Sequence, residues 1–92
     1  EPPAIVASIR EALAAEGARF GVTVNAIAPG YTPTPMVEAI RSDILDSIKA
    51  DIPMRRLAKP EEIAAAVAFL ASEAGAYITG ETLAINGGLY MK

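Results

Sequence analysis

The chain contains no cysteine, no histidine and no tryptophan. Without cysteine it cannot form a disulfide or a thiolate metal site, and without histidine it lacks the commonest general base and a common zinc ligand. Both absences argue against a metal centre, and we expect no metal site. Lack of cysteine also agrees with a reducing compartment, so we expect a cytoplasmic protein.

The charge and hydropathy patterns argue against two further classes of function. Eight lysine and arginine residues stand against eleven aspartate and glutamate residues, which gives a net charge of −3 without any basic run. A nucleic-acid-binding surface needs such a basic patch. No apolar run approaches the roughly 20 residues that a membrane-spanning helix requires. We therefore expect neither a nucleic-acid partner nor a membrane span.

Apolar residues are abundant and occupy 52% of the 92 positions. This fraction excludes intrinsic disorder and suits packed helices and buried strands. A folded chain of this size buries only roughly 60–65% of the surface that its unfolded form exposes. We therefore expect its stability to depend on contacts with further protein.

Glycine and proline divide the chain into five short elements in the order helix, strand, helix, helix, strand. The predicted elements are a helix after Pro2 and Pro3 that runs to about Gly17, a strand over Val22–Ala28, a helix from Pro35 to Ile52 that could break at Ser42, a helix from Pro60, and a strand over Thr82–Asn86. The first strand is flanked by Gly21 and Pro29 and rich in β-branched residues, which predicts burial of both its faces.

Two of the predicted helices carry apolar residues on two sides. The first has a stripe formed by Ile5, Ile9 and Leu13 and, on the other side, a face of small residues that includes Ala7 and Ala14. We expect both sides to be buried, one of them against another subunit. The helix from Pro60 is likewise expected to be covered on two sides.

The two strands are separated by a loop and two helices, which is the pattern of a parallel pair joined by a helical crossover. The fold class is therefore α/β. A parallel pair needs helices on both faces and further strands at its edges, and one preceding helix does not supply them. The pattern predicts one end of a doubly wound parallel sheet, incomplete on its own.

Ligands of open α/β sheets bind beyond the carboxyl ends of the strands. The first strand leads there into Pro29–Met36, a segment with three prolines. Gly30 would let a ligand approach the backbone, while Thr32 and Thr34 would supply hydroxyl and N–H groups beside a helix start. The alternative interpretation is a rigid turn in which Thr34 only caps the helix.

Two other clusters have both a functional and a structural interpretation. Arg55 and Arg56 could bind phosphate, but the acids Glu61 and Glu62 favour an ion pair. Asn86–Gly88 could form an anion-binding nest, but a turn that ends the strand is the simpler interpretation. No nucleophile paired with a base is visible.

Four segments resemble the short-chain dehydrogenases/reductases. They are Leu13–Asn25 with Pro29–Tyr31, Ile52–Leu57 with Pro60–Ala64, Ala66–Glu73, and Tyr77–Leu83 with Asn86–Met91. The ending YITGETL plus NGGLYM is most similar to the 3-oxoacyl-acyl-carrier-protein reductases, with acetoacetyl-CoA reductases close behind. The resemblance implies that residues 1–92 form the C-terminal portion of a Rossmann-type NAD(P)-binding domain. The N-terminal dinucleotide-binding part is then expected upstream and is absent here.

In this family the loop after the corresponding strand closes over the nicotinamide of NADPH or NADH. The resemblance implies that Pro29 and Gly30 shape this loop. It also implies that the Thr32 backbone meets the carboxamide and that Thr34 bonds the amide or phosphate region of the cofactor. The residues implied on the substrate side are Tyr31, Met36, Val37 and Ile40.

The sequence departs from the family pattern at two positions of this loop. Thr32 stands where the family usually has isoleucine or valine, and Pro35 stands where it usually has aspartate. A backbone contact at Thr32 survives the first change. Pro35 lacks an N–H and a carboxylate cap, which weakens the predicted start of the following helix.

The family's glycine-rich dinucleotide turn, its catalytic asparagine and serine and its Tyr-x-x-x-Lys pair match no position of this sequence. Counting back from Leu13 puts the family's lysine at about Pro3. No catalytic residue is therefore assigned, whether the chain is an enzyme stays open, and the 92 residues alone are expected to be inactive.

The leading hypothesis is the lid and oligomer-interface segment of an NADPH-dependent 3-oxoacyl thioester reductase. The resemblance implies self-association into a dimer or tetramer, in which the alanine face of the first helix and the strand over Thr82–Asn86 pair with neighbouring subunits. It also implies an acyl-carrier-protein or CoA thioester as the substrate. Two alternatives stay open. One is a non-catalytic truncated homologue that acts as an interaction module, and the other is a short-chain dehydrogenase that acts on another alcohol or ketone.

Overall fold

The computed structural model of the chain describes residues 4–91, except the side chain of Glu38. The elements are α1 (Ala4–Ala18), β1 (Ala26–Pro29), α2 (Pro35–Glu38), α3 (Ser42–Asp51), α4 (Pro60–Ala71), a 3-10 helix (Glu73–Gly75) and β2 (Thr82–Ile85). The predicted order of helices and strands is confirmed, with one helix divided in two. Pro2 and Pro3 lie outside the described residues. None of the helices within residues 4–91 is both long and apolar enough to cross a membrane.

The two strands pair with each other in one small sheet. The Ala26 N–H donates to the Glu81 carbonyl and the Gly30 N–H donates to the Ile85 carbonyl, both at 2.8 Å. Because donors and acceptors advance in the same direction along the chain, the pair is parallel. The α/β class is therefore confirmed, and α2, α3 and α4 belong to the connection between the strands.

The first strand is shorter and more exposed than predicted. The Val24 N–H donates to Thr79 Oγ1 at 3.0 Å, and the Asn25 side-chain amide donates to the Ile78 carbonyl at 2.9 Å. Side chains thus take up hydrogen bonds that a strand ladder would otherwise make, and regular pairing begins only at Ala26. The predicted span of Val22–Ala28 is wrong at its start. Burial on both faces is not met within this chain, where every residue of β1 is partly or fully exposed, and it stays an expectation for the strand together with further protein.

The helix predicted from Pro35 to Ile52 is interrupted close to the anticipated position. α2 ends at Glu38, and α3 begins at Ser42. Between them Arg41 has a ψ of 142°, an extended value that a continuous helix cannot contain. The break separates the short helix next to the candidate site from the amphipathic α3.

Residues up to Ala28 and Ala65–Leu83 form one compact unit. Its most buried side chain is Ala14, which is 5% exposed. A Cβ atom on Gly80 would lie 3.6 Å from the Ala14 Cβ, so the backbone of the segment before β2 passes close to α1. The expectation that the alanine face packs on another subunit is therefore wrong at Ala14, which is covered within the chain.

The opposite side of α1 is open. The stripe of Ile5, Ile9 and Leu13 is exposed within this chain, and Ile5 reaches 69%. α4 also has no buried residue within the described part of the chain, so its expected cover on two sides is not met here. These exposed apolar faces agree with the expectation that the fold depends on further protein contacts.

A second compact unit comprises Pro29–Ala64 and the residues from Ala84 onward. Its core is Ile52, which is 3% exposed and follows the last turn of α3. A Cβ atom on Gly87 would lie 2.9 Å from the Ile52 Cγ2, so the turn after β2 lies directly against this side chain. The Met54 N–H donates to the Gly87 carbonyl at 3.1 Å and fixes the contact.

Candidate functional site

The turn that follows β1 is built around a close approach of two backbones. A Cβ atom on Gly30 would lie 2.9 Å from the Asn86 Cα and 3.1 Å from the Asn86 Cβ. The Gly30 N–H also makes the last hydrogen bond of the sheet, to Ile85. Any larger residue must displace backbone, so Gly30 is required by packing against the end of β2.

The residues after Gly30 form a loop over 30–34, which we call the lid loop. Its path is fixed at Tyr31, whose carbonyl accepts a hydrogen bond of 2.9 Å from the Ala58 N–H. One residue further, the Thr32 hydroxyl donates to the Gly30 carbonyl at 3.2 Å and closes a small turn. The lid loop is therefore held from within and from the 55–59 segment.

Thr34 is the N-cap of α2, as the structural alternative predicted. Its Oγ1 accepts a hydrogen bond of 3.2 Å from the Val37 N–H, and Pro35 occupies the first helical position. A proline is tolerated there because that N–H has no intrahelical partner. The helix thus begins at Pro35 despite the missing carboxylate cap, since the preceding threonine hydroxyl replaces it.

The residues predicted to face a substrate fall into two groups. Tyr31 lies beside Gly30 on the wall of a cavity of about 120 Å³. Met36 and Val37 lie on α2, and Ile40 lies in the turn before α3. None of these three lines the cavity, and Met36 is 83% exposed. The structure brings Tyr31 together with the end of β2 and leaves the other three outside the cavity, each partly or fully exposed.

The cavity lies within the second compact unit, where both strands end. Its remaining lining residues are Ile52, Met54, Arg56, Ala58, Glu62, Ile85, Asn86 and Gly87. Sequence reasoning identified the Gly30–Tyr31 side and missed the contribution of Ile52 and Ala58. Ile52 gave one signal, as the last apolar position of the α3 pattern before Pro53. Ala58 acts through its backbone N–H, and no sequence signal identifies it.

The predicted ion pair at the start of α4 is confirmed. Arg56 donates two hydrogen bonds to the Glu62 carboxylate, of 2.7 and 2.8 Å, and the Lys59 N–H donates a third at 2.8 Å. Lys59 is the residue before Pro60, so Glu62 also satisfies an N–H at the start of the helix, as in a capping box. The Arg56 hydrogen bonds, followed by that from Lys59, lower the pKa of Glu62 to about 2. Glu62 is therefore fully ionised near neutral pH.

The turn after β2 is confirmed as a strand-ending turn. Gly87 and Gly88 have φ angles of 62° and 92°, which favour glycine. Asn86 Oδ1 accepts the Gly88 N–H at 3.1 Å, and Asn86 Nδ2 donates to the Tyr90 carbonyl at 3.2 Å. Because the Gly88 N–H already has an acceptor, the geometry favours the turn over an anion nest. Within residues 4–91, no three histidine, cysteine or acidic residues come together as a metal site would require.

Comparisons with known proteins match almost the whole chain. The family model described as enoyl-(acyl carrier protein) reductase matches residues 4–90. An acetoacetyl-CoA reductase of Acinetobacter is 67% identical over 88% of this chain and 33% of its own length. Nodulation protein G of Azospirillum brasilense is 60% identical over 91% of this chain and 34% of its own. A 3-oxoacyl-acyl-carrier-protein reductase of Vibrio cholerae is 50% identical over 94% of this chain and 35% of its own. The chain thus spans about a third of the length of the curated relatives that it matches.

Proposed function

Because this chain belongs to the short-chain dehydrogenase/reductase family, we propose that it supplies the nicotinamide lid and part of the oligomer interface of an NADPH-dependent 3-oxoacyl thioester reductase. In this proposal residues 1–92 are the C-terminal portion of a Rossmann-type domain. One observation carries it. Relatives named for the reduction of acetoacetyl-CoA and of 3-oxoacyl-acyl-carrier protein are 67% and 50% identical to the chain, and both names describe a 3-oxoacyl thioester.

The lid loop fits a nicotinamide cofactor in three respects. Among the hydrogen bonds described within residues 4–91, none uses the Thr32 N–H, which is therefore available to a carboxamide oxygen. The Thr34 hydroxyl accepts from Val37 and keeps its own proton for a second partner. Gly30 packs closely against Asn86 at the end of β2 and so fixes where the lid loop begins.

When bound, the cofactor supplies a hydride to the keto carbon of the substrate. The chain's own groups orient it in this proposal. The Thr32 N–H holds the carboxamide, and the Thr34 hydroxyl bonds the amide or phosphate region. Pro29 and Pro33 restrict the backbone of the loop, which lowers the entropy lost when it orders around a ligand. The groups that transfer the proton belong to parts of the family outside these 92 residues.

The exposed apolar side chains on and beside α2 suit an acyl chain. Tyr31, Met36, Val37 and Ile40 are each exposed or half-exposed. Contact with an acyl chain would remove this surface from water, at about 25 cal/mol per Å². It would also exclude water from the reacting carbonyl, which strengthens the hydrogen bonds around it.

The exposed apolar stripe of α1 supports the interface part of the proposal. Ile5, Ile9 and Leu13 lie four residues apart on one exposed side of a 15-residue helix. Such a stripe is typical of a helix that packs against further protein. We propose that the stripe contacts another copy of the same protein in a dimer or tetramer. The cytoplasm remains the predicted compartment.

The proposal is tested with the natural polypeptide that contains this sequence. NADPH oxidation is followed at 340 nm with acetoacetyl-CoA, with acetoacetyl-acyl-carrier protein and with sugar and steroid ketones. We expect turnover with the two thioesters and little with the other ketones. A preference for a ketone without a thioester would support instead the alternative of a dehydrogenase for another alcohol or ketone, and NADH in place of NADPH decides the cofactor.

Two substitutions at one position test the lid loop itself. Thr32→Pro removes the N–H proposed to hold the carboxamide, whereas Thr32→Val keeps it and removes only the hydroxyl. We expect the KM for NADPH to rise about tenfold in Thr32→Pro, as for loss of one hydrogen bond of about 1.4 kcal/mol, and to change less than about twofold in Thr32→Val. Equal KM values for both variants would contradict the backbone contact.

A further inference from the structure

The lid loop is anchored by a segment that has no regular secondary structure of its own. Residues 55–59 lie between α3 and α4 and belong to no helix or strand. Within this segment Arg55 has a φ of 61°, a left-handed conformation that residues other than glycine rarely adopt. Such a backbone keeps its conformation only where surrounding contacts hold it. The bonds that fix this segment therefore decide where the Ala58 N–H points.

Glu62 makes most of the side-chain bonds that hold this segment. Its carboxylate accepts both Arg56 guanidinium bonds and the Lys59 N–H, so it binds the residues on both sides of Ala58. Arg56 adds a bond of 3.2 Å from Nη1 to the carbonyl of Leu57. Glu62 itself lies in the first turn of α4, a regular helix that gives the carboxylate a fixed position.

One hydrogen bond connects the 55–59 segment to the lid loop. The Ala58 N–H donates to the Tyr31 carbonyl at 2.9 Å. Tyr31 precedes Thr32, the residue whose N–H is proposed to meet the nicotinamide. Arg56, Ala58 and Glu62 also line the same cavity of about 120 Å³ as Tyr31, so anchor and loop face each other directly.

We propose that Arg56 and Glu62 are positioning residues for the lid loop, which they hold through the Ala58 N–H and the Tyr31 carbonyl. Neither residue is proposed to touch the cofactor or the substrate. The inference rests on the proposed function only for the identity of the ligand beneath the loop. It predicts that breaking an exposed ion pair at the start of α4 weakens nucleotide binding, an effect that a surface ion pair of merely structural role would not have.

The test uses the natural polypeptide with Glu62→Gln and Arg56→Gln, and Asp43→Asn as the matched control. Asp43 also lies in the first turn of a helix and forms an exposed ion pair, with Arg41 at 2.9 Å, but among the hydrogen bonds described within residues 4–91 none joins its side chain to the 55–59 segment. The first measurement is hydrogen exchange of the Ala58 amide. We expect exchange about tenfold faster in Glu62→Gln and Arg56→Gln, and within about twofold of wild type in Asp43→Asn.

The second measurement is the KM for NADPH, which we expect to rise about fivefold in the two anchor variants, while Asp43→Asn stays near wild type. Arg56→Lys keeps the charge but cannot form the bidentate hydrogen bonds to Glu62, so we expect its KM for NADPH to lie between those of wild type and Arg56→Gln. An unchanged Ala58 exchange rate, or faster exchange with an unchanged KM, would overturn the inference. Faster exchange in a protein that reduces no thioester at all would refute the proposed function and still support the anchor.

Discussion

Substitution of Gly30 by alanine tests the close approach on which the candidate site is built. The new Cβ would lie 2.9 Å from the Asn86 Cα and 3.4 Å from the Ile85 carbonyl oxygen. Real Cβ contacts are longer than the first of these distances, and both neighbours are backbone atoms that cannot rotate away. The two strand ends must therefore move apart, which stretches the hydrogen bond of 2.8 Å between the Gly30 N–H and Ile85.

Overpacking of this kind costs about 1–3 kcal/mol, which corresponds to a shift of about 5- to 150-fold in the unfolding equilibrium. We expect urea denaturation of the natural polypeptide to show this loss for Gly30→Ala, with a Tm lowered by about 2–10 °C. We also expect a higher KM for NADPH, since the lid loop starts at the displaced residue.

Gly21→Asn is the matched control. Gly21 has a φ of 72° with no heavy atom within 4 Å of an added Cβ, and asparagine tolerates that conformation. We expect its free energy of unfolding to stay within about 0.5 kcal/mol of wild type. If Gly30→Ala were as stable as Gly21→Asn and bound NADPH as tightly as wild type, the argument from the backbone contact would be refuted.

Two further predictions concern stability. Because the pKa of Glu62 is lowered from 4.5 to about 2, its ion pair stabilises the folded state fully above pH 4.5 and is lost as the pH falls towards 2. The difference in free energy of unfolding between wild type and Glu62→Gln should therefore shrink over that interval, and a difference that grew on acidification would contradict the assignment. Ile52→Ala should cost about 2–5 kcal/mol in chemical denaturation, because this side chain is 3% exposed. Ile44→Ala, at a position 48% exposed on α3, should cost less than about 1 kcal/mol, and equal losses would count against Ile52 as the core of its unit.

Elements with strong local signals were predictable from the sequence. α1 ends at Ala18 and α4 begins at Pro60, as the glycine and proline positions predicted. An ion pair between Arg55 or Arg56 and the acids Glu61 and Glu62 followed from charge, and the structure shows that Arg56 and Glu62 form it. The length of β1 could not be predicted, because Val24 and Asn25 make hydrogen bonds to a side chain and a loop carbonyl some 55 positions away in the chain. A β-branched sequence predicts an extended backbone, but it does not show which groups will hydrogen-bond to the N–H and C=O groups of that backbone.

The candidate site divides in the same way. Gly30 and Thr34 were identified from residue type and position, and the structure gives each a physical role, as a close contact and as a helix cap. The anchor of the lid loop was not foreseen, because it acts through the backbone of Ala58, and any residue other than proline offers the same N–H. The cofactor and substrate roles of the loop residues stay predictions that the experiments above test.

Because β1 pairs with a strand that follows much later in the chain, the sheet cannot form until β2 has been synthesised. The Gly30 N–H finds its acceptor at Ile85, 55 residues later. At a synthesis rate of about 5–20 residues per second, the ribosome needs roughly 3–10 s to produce that partner. Throughout this interval the β1 edge that β2 will cover remains unsatisfied, and a nascent chain with such an edge is a substrate for chaperones and prone to aggregation. Slower translation between α2 and β2 would lengthen that vulnerable period in direct proportion.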